Sequence, residues 1–196
     1  MSMPPGWPPF RTLDLAAAGR LPDDWAGQVS ALADAPERIA LIDTPAWSFG
    51  IVEGDRLRAR LPWLWRLYHG ALRDFAGTSL GQPVFASNRL RAALTLNILR
   101  GGGATNDWHR DANCVTGVFY AAVPPGAGGL SFRDSDGRTA TLVPRAGLFA
   151  CFPGAIEHRV DPLPESCERL AIAMVYHASP TDQPAAYGAD AYTLDG

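Results

Sequence analysis

The sequence predicts a mainly β protein, a sandwich or jelly-roll barrel of short strands with its helices packed outside. Three observations carry this. Helical patterns stop at Gly77, and six to eight short apolar runs broken by Gly and Pro fill roughly the next 90 residues. Gly (20) and Pro (17) are plentiful while charged residues make up only 19%, a balance that favours turns and short strands over long helices. At 196 residues the chain can bury one core well and is short for two. The expected organisation is therefore one domain over 1–196, with helical support at about 1–85 and a β core at about 86–180.

Taken in order, residues 1–22 are rich in Pro and read as irregular. Asp23 and Asp24 are capping candidates for a short helix over 23–35, with Trp25, Val29 and Leu32 at helical spacing. ERIALID (37–43) and WSFGIVEG (47–54) read as strands, and EGDR (53–56) as the turn after the second. Pro62 opens the strongest helical pattern, an apolar stripe through Leu64, Leu67, Tyr68, Leu72 and Phe75 that Gly77 closes. The strands that follow are RAALTLNIL (91–99), CVTGVFYAAV (114–123), GLSFRD (129–134), TATLV (139–143), GLFACF (147–152), HRVDPL (158–163) and RLAIAMVYH (169–177). PPGAGG and DSDG between them are hairpin-type turns.

The net charge is −3 and all 17 basic side chains are arginine, with no basic stripe, so nucleic acid is not an expected partner. No basic start leads into an apolar leader, and no run of about 18 apolar residues marks a membrane span. A cytoplasmic protein is expected. Cys114, Cys151 and Cys167 are odd in number and lack CxxC spacing, which argues against a disulfide framework and a structural zinc site. Oligomeric state leaves no signal in the sequence.

Candidate chemistry begins at TNDWHRDANCVTGVFY (105–120). Side chains two apart on a strand share a face, so His109 and Asp111 would both enter a barrel if this segment is extended. Among the other histidines, His69 lies in the helical stripe and His177 ends an apolar strand, and both read as structural. His158 differs, because it re-enters a strand after the Pro-Gly turn that follows GLFACF. Two histidines and one carboxylate on one face of a β scaffold form the facial triad that suits non-haem Fe(II) and leaves positions open.

Arg169 heads an otherwise apolar strand, where a guanidinium must find an anion or reach water. Its planar fork suits the far end of a dicarboxylate; paired with Glu165 or Glu168 it would be structural only. Thr95 and Asn97 share one strand face opposite Leu94, Leu96 and Ile98, which is either a polar interior or an exposed face. Tyr120 is either a core aromatic or a site hydroxyl. The glycines at 101–103 precede neither GK[ST] nor a helix, so they read as a loop entering the site and not as a phosphate cradle.

WHRD at 108–111, TGVFYAAVPPGAGGLSF at 116–132, PRAGLFACFPGAIEHRVDPL at 144–163 and ERLAIAMVYH at 168–177 together resemble the Fe(II)- and 2-oxoglutarate-dependent dioxygenases. Within them the chain looks most similar to the small prolyl-4-hydroxylase-like branch. The resemblance spans about residues 94–177 and rests on the order and spacing of several motifs. It implies a double-stranded β-helix, iron held by His109, Asp111 and His158, and Arg169 as partner of the 2-oxoglutarate C5 carboxylate. The family often has Ser or Thr two residues after the arginine; here that residue is Ala171, so a second donor is expected from Tyr120, Thr95 or Asn97.

Related halogenases carry a small residue at the position of Asp111, so the resemblance implies hydroxylation. The implied reaction consumes 2-oxoglutarate and O2 and hydroxylates a small molecule such as an amino acid or biosynthetic intermediate. The alternatives are a peptidyl or protein residue hydroxylase of the prolyl-hydroxylase type and a non-catalytic jelly-roll binding module. Asn106, Asp107, Trp108, Arg110 and Asn113 flank the ligands and are candidates to face substrate. A nucleic-acid repair dioxygenase fits less well: N-x-L-x-x-G at 97–102 has Leu99 where that group has Tyr, and its second downstream arginine is missing.

Overall fold

Helical and strand periodicities separate into distinct layers in a computed structural model that describes residues 7–183. The first part comprises strand β1 (Arg11–Asp14), helix α1 (Trp25–Ala33), strands β2 (Ile39–Asp43) and β3 (Trp47–Glu53), and helices α2 (Gly54–Arg60), α3 (Pro62–Leu67) and α4 (Arg73–Leu80). A short strand β4 (Phe85–Ala86) and a helical turn α5 (Leu90–Ala93) lead into the β body. That body runs β5 (Leu94–Gly101), β6 (Asn106–His109), β7 (Val115–Ala122), β8 (Leu130–Arg133), β9 (Thr139–Leu142), β10 (Leu148–Pro153), β11 (Glu157–Val160) and β12 (Glu168–His177).

All pairings are antiparallel and fall into two sheets. The large sheet has the order β1-β10-β7-β12-β5-β3-β2, with β4 also on β12; the small one is β6-β11-β8-β9. From β5 onward the chain crosses between them repeatedly: β5 large, β6 small, β7 large, β8 and β9 small, β10 large, β11 small, β12 large. This alternation is the double-stranded jelly-roll expected from the sequence.

Strand alternation divides β12 between two environments. Leu170, Ile172, Met174 and Tyr176 pack into one core with Leu64, Tyr68 and Leu72 of the helical layer. Arg169, Ala171, Ala173 and Val175 turn the other way and line a cavity between the sheets. A second core of Tyr120, Leu130, Phe132, Phe152 and Ile156 borders that space through Tyr120, Leu130 and Phe152. No helix among the described residues is long and apolar enough to cross a membrane.

Four local expectations are corrected. Residues 11–14, read as irregular, form β1 and pair with β10 from Arg11 opposite Cys151 to Asp14 opposite Leu148. EGDR is no turn: Glu53 ends β3 and the next three residues open α2. A Cβ at Gly54 would lie 2.2 Å from the Leu90 carbonyl oxygen, so glycine is what lets this helix begin against α5.

The long helix is interrupted: a π-helical turn at Tyr68–Leu72 joins α3 to α4, with Gly70 at φ −116°, ψ −106°. It runs on through Gly77 to Leu80 and stops at Gly81, whose φ of 67° is the left-handed cap. The segment read as a strand from Arg91 is helical up to Ala93 and extended only from Leu94.

Candidate metal centre

β6 is an edge of the small sheet, and its register with β11 sets His109 directly opposite His158, with ring centroids 4.2 Å apart. Asp111 reaches the same place by another route than the one expected. It lies beyond the end of β6, so strand alternation does not aim it. Its backbone N–H instead donates to the Gly154 carbonyl at 2.8 Å, and the Gly154 N–H donates to the Cys114 carbonyl at 3.1 Å. A Cβ at Gly154 would lie 2.2 Å from the Asn113 carbonyl oxygen and 3.2 Å from the Asp111 Cβ, so only glycine permits this approach.

The ligand atoms converge. Asp111 Oδ1 is 3.8 Å from His109 Nε2, Asp111 Oδ2 is 3.5 Å from His158 Nε2, and the candidate donors of all three residues lie within 4.8 Å of one another. His109 Nδ1 donates to the Asp107 carbonyl at 2.6 Å and His158 Nδ1 to the Ile156 carbonyl at 2.8 Å. Those acceptors place the ring protons on Nδ1 and leave both Nε2 lone pairs facing Asp111. Burial beside Phe152 holds His158 below the ordinary imidazole value, which favours the neutral form that a metal requires. Two imidazoles and one carboxylate are a donor set that fits ferrous iron.

Across the gap, the large sheet supplies a buried cation. Arg169 is 2% exposed; its Nη1 donates to the Gly128 carbonyl at 3.3 Å, and its Nε has no hydrogen-bond partner among the described residues. The structural alternative of pairing with Glu168 does not occur, because Glu168 accepts from Arg100. Asp161 attracts Arg169 at a distance, but its carboxylate already accepts from Ser131 Oγ at 2.7 Å and from Arg159 Nε at 3.0 Å. A buried guanidinium with open donors is costly unless an anion completes it.

A comparison of the sequence with protein-family models and with curated proteins gives no match. Solved structures do match. The non-heme alpha ketoglutarate dependent epimerase SnoN from nogalamycin biosynthesis is 16% identical over 86% of this chain and 77% of its own, with a TM-score of 0.68. An oxidoreductase of the 2OG-Fe(II) oxygenase family from Burkholderia pseudomallei is 14% identical over 87% and 86%, with a TM-score of 0.67. A prolyl hydroxylase from Trichoplax adhaerens, solved with a hypoxia inducible factor peptide, is 16% identical over 87% and 84%, with a TM-score of 0.61. This chain has the 2OG-Fe(II) oxygenase fold.

In this fold the two sheets face each other across the cavity, with the two histidines on the small one and Arg169 on the large one. Tyr120 of β7, Ala171 of β12 and Asn97 of β5 stand in one cross-strand row, one step from the row of Arg169 and Leu99. The small Ala171 leaves room between Tyr120 and Asn97, and all three line the cavity. Burial pushes the Tyr120 hydroxyl up to about 12, with Arg169 opposing, so it keeps its proton and can donate. Asn97 Oδ1 is buried without a partner among the described residues. Thr95 is buried on the same face but one row further along, opposite Glu53 and Ala173, and is not among the residues that line the cavity.

The remaining candidates scatter. Asn106 lines the cavity, with Nδ2 3.5 Å from His109 Nε2. Asn113 is buried and Arg110 exposed, and Trp108 stacks beneath Arg133 and Arg159. The glycines at 101–103 do not enter the site: Gly101 N–H donates to Cys167 O and Gly103 N–H to Leu163 O, which ties this loop to segment 163–167. His69 packs on Trp65 at 4.5 Å and His177 is buried where β12 meets β4, both away from the triad.

Thr116 was missed. Its hydroxyl donates a short hydrogen bond to Asp111 Oδ2 and accepts one from Asn113 Nδ2 at 3.0 Å. Because an amide nitrogen can only donate, the threonine proton is directed at the carboxylate. The available signal was parity: Thr116 and Tyr120 share one face of β7, and both line the cavity.

Proposed function

We propose that this protein is an Fe(II)- and 2-oxoglutarate-dependent dioxygenase that hydroxylates a small molecule. The observation that carries the proposal is the shared cavity, which joins the His109, Asp111 and His158 cluster to the open, buried fork of Arg169. His109, Asp111 and His158 would hold Fe(II), whose contribution when bound is the activation of O2 coupled to decarboxylation of 2-oxoglutarate. Arg169 binds the C5 carboxylate, and Tyr120 or Asn97 supplies the second donor in place of a hydroxyl at Ala171. Thr116 holds one oxygen of Asp111 and so fixes which lone pairs that ligand presents. Val118, Leu130 and Phe152 line the same cavity and exclude water from it.

The small-molecule reading is supported by the greater similarity to SnoN in its complex with Fe3+, alpha ketoglutarate and nogalamycin RO than to the peptide-bound prolyl hydroxylase (TM-scores of 0.66 and 0.61).

The test is succinate formation by protein loaded anaerobically with Fe(II) and then given 2-oxoglutarate and O2, with and without pools of amino acids and metabolites. Slow succinate release that disappears in His158→Ala and rises with one pool is the expected result. No succinate from protein with measured Fe(II) binding would overturn the proposal in favour of a binding module. Arg169→Ala is expected to raise the KM for 2-oxoglutarate by about tenfold or more, the scale of losing a buried charge-assisted pair; an unchanged KM would remove Arg169 from the co-substrate site.

A further inference from the structure

The strand that carries His109 is the least supported part of the centre. Among the described residues β6 pairs with β11 alone. Its ladder is also irregular: His109 stands opposite His158 and Asn106 opposite Val160, so three steps along β6 match two along β11. Asp107 and Trp108 therefore face Arg159 together, the two-against-one arrangement of a β-bulge. The bulge provides the acceptor that orients the ligand, because the Asp107 carbonyl takes the Nδ1 proton of His109 at 2.6 Å. The Asp107 carboxylate in turn accepts the Trp108 N–H at 2.7 Å.

Trp108 occupies the outer face of the small sheet. There Arg133 of β8 and Arg159 of β11 place their guanidinium carbons 4.5 and 4.9 Å from the centre of its ring. Each arginine is itself held, Arg133 by Glu157 at 2.8 Å and Arg159 by Asp161 at 3.0 Å. The indole thus ties an edge strand with a broken ladder to its neighbour and to the strand beyond it, at the residue next to the ligand.

We propose that Trp108 is a positioning residue for His109: its contacts with Arg133 and Arg159 hold the bulge in the register that aims His109 Nε2 at Asp111 and His158. The inference rests on the metal-centre reading and adds a residue that touches neither metal nor substrate.

The experiment is a Co(II) titration of the metal-free full chain, with the visible absorption of the bound ion and thermal unfolding of the metal-free protein recorded alongside. Trp108→Leu is expected to weaken Co(II) binding about tenfold, as loss of an orienting partner does, and to change the Co(II) spectrum. Its metal-free unfolding temperature should stay close to that of the wild type. Trp108→Phe, which keeps a ring under both cations, should recover most of the affinity. The paired change Arg133→Met with Arg159→Met leaves the indole in place and should weaken binding similarly, which keeps the test decisive if Trp108→Leu does not fold. Wild-type affinity and spectrum in both the leucine and the double-arginine variants would overturn the inference alone. A wild-type protein that binds no Co(II) would overturn the metal-centre reading and this inference with it.

Discussion

Asp111 is the one member of the His109, Asp111 and His158 cluster with no strand beneath it, and the residues that compensate are Gly154 and Thr116. Gly154 holds its backbone and Thr116 its carboxylate. Thr116→Val keeps the shape and removes the donor, so metal affinity is expected to fall by about 10- to 100-fold while Thr116→Ser retains it. Titration with Fe(II) or Co(II) reads this directly, and equal affinity in the valine variant would remove Thr116 from the support of the ligand. The three clustered residues, His109, Asp111 and His158, were legible because costly polar residues in apolar surroundings stand out. Their supports were not: Gly154 is fully explained by a Pro-Gly turn, and Thr116 by strand propensity. Thr95 marks a related limit, since its row partner Ala173 lines the cavity and it does not: alternation predicts which face a residue takes but not which members of a cross-strand row meet the cavity.

At the scale of elements, the helical layer packs on the β body through a shared apolar core, and one of its side chains also makes two buried hydrogen bonds across that junction. Tyr68, at the start of the π-helical turn, donates its hydroxyl proton to the Val175 carbonyl at 2.7 Å and accepts the Ser87 N–H at 2.6 Å. Both backbone groups are far from water, so Tyr68→Phe leaves a buried carbonyl and a buried amide unsatisfied. A loss of about 1–3 kcal/mol in unfolding free energy is expected, with denaturant titration as the measurement. A change within experimental error would mean that the bonds are replaced on mutation. The π-helical turn was invisible in the sequence because one extra residue in a turn preserves the apolar stripe on either side. The bulge in β6 was hidden for the same reason, since a short strand reads alike with or without an extra residue.

For the whole molecule, most strands were legible in chain order but pairing was not. Nothing in RTLD announces that it will join GLFACF across most of the chain, because pairing depends on which edges the sheets leave open. A global property does follow from two histidines. Burial chiefly, then Arg73 and Arg58, holds His69 below the ordinary imidazole value of 6.5; burial and Arg89 do the same for His177. Between that value and the depressed folded ones the unfolded chain binds more protons, so stability falls as pH falls through this window. Unfolding free energy should decline from about pH 7 to about pH 5, and a His69→Asn, His177→Asn double variant should decline less steeply. Parallel curves would show that these side chains do not govern the acid limb.

The placement of β12 also has a consequence in time. It is the last described strand along the chain, yet it lies in the middle of the large sheet, bonded to β7 on one side and β5 on the other. As a nascent chain emerges, β5 and β7 come first and have a gap between them that only residues 168–177 can fill. Arg169 arrives on that strand, and His158 on the strand just before it. Completion of the cluster and closure of the sheet therefore both wait for the last two described strands, and a chain that ends before them has neither Arg169 nor the full set of His109, Asp111 and His158.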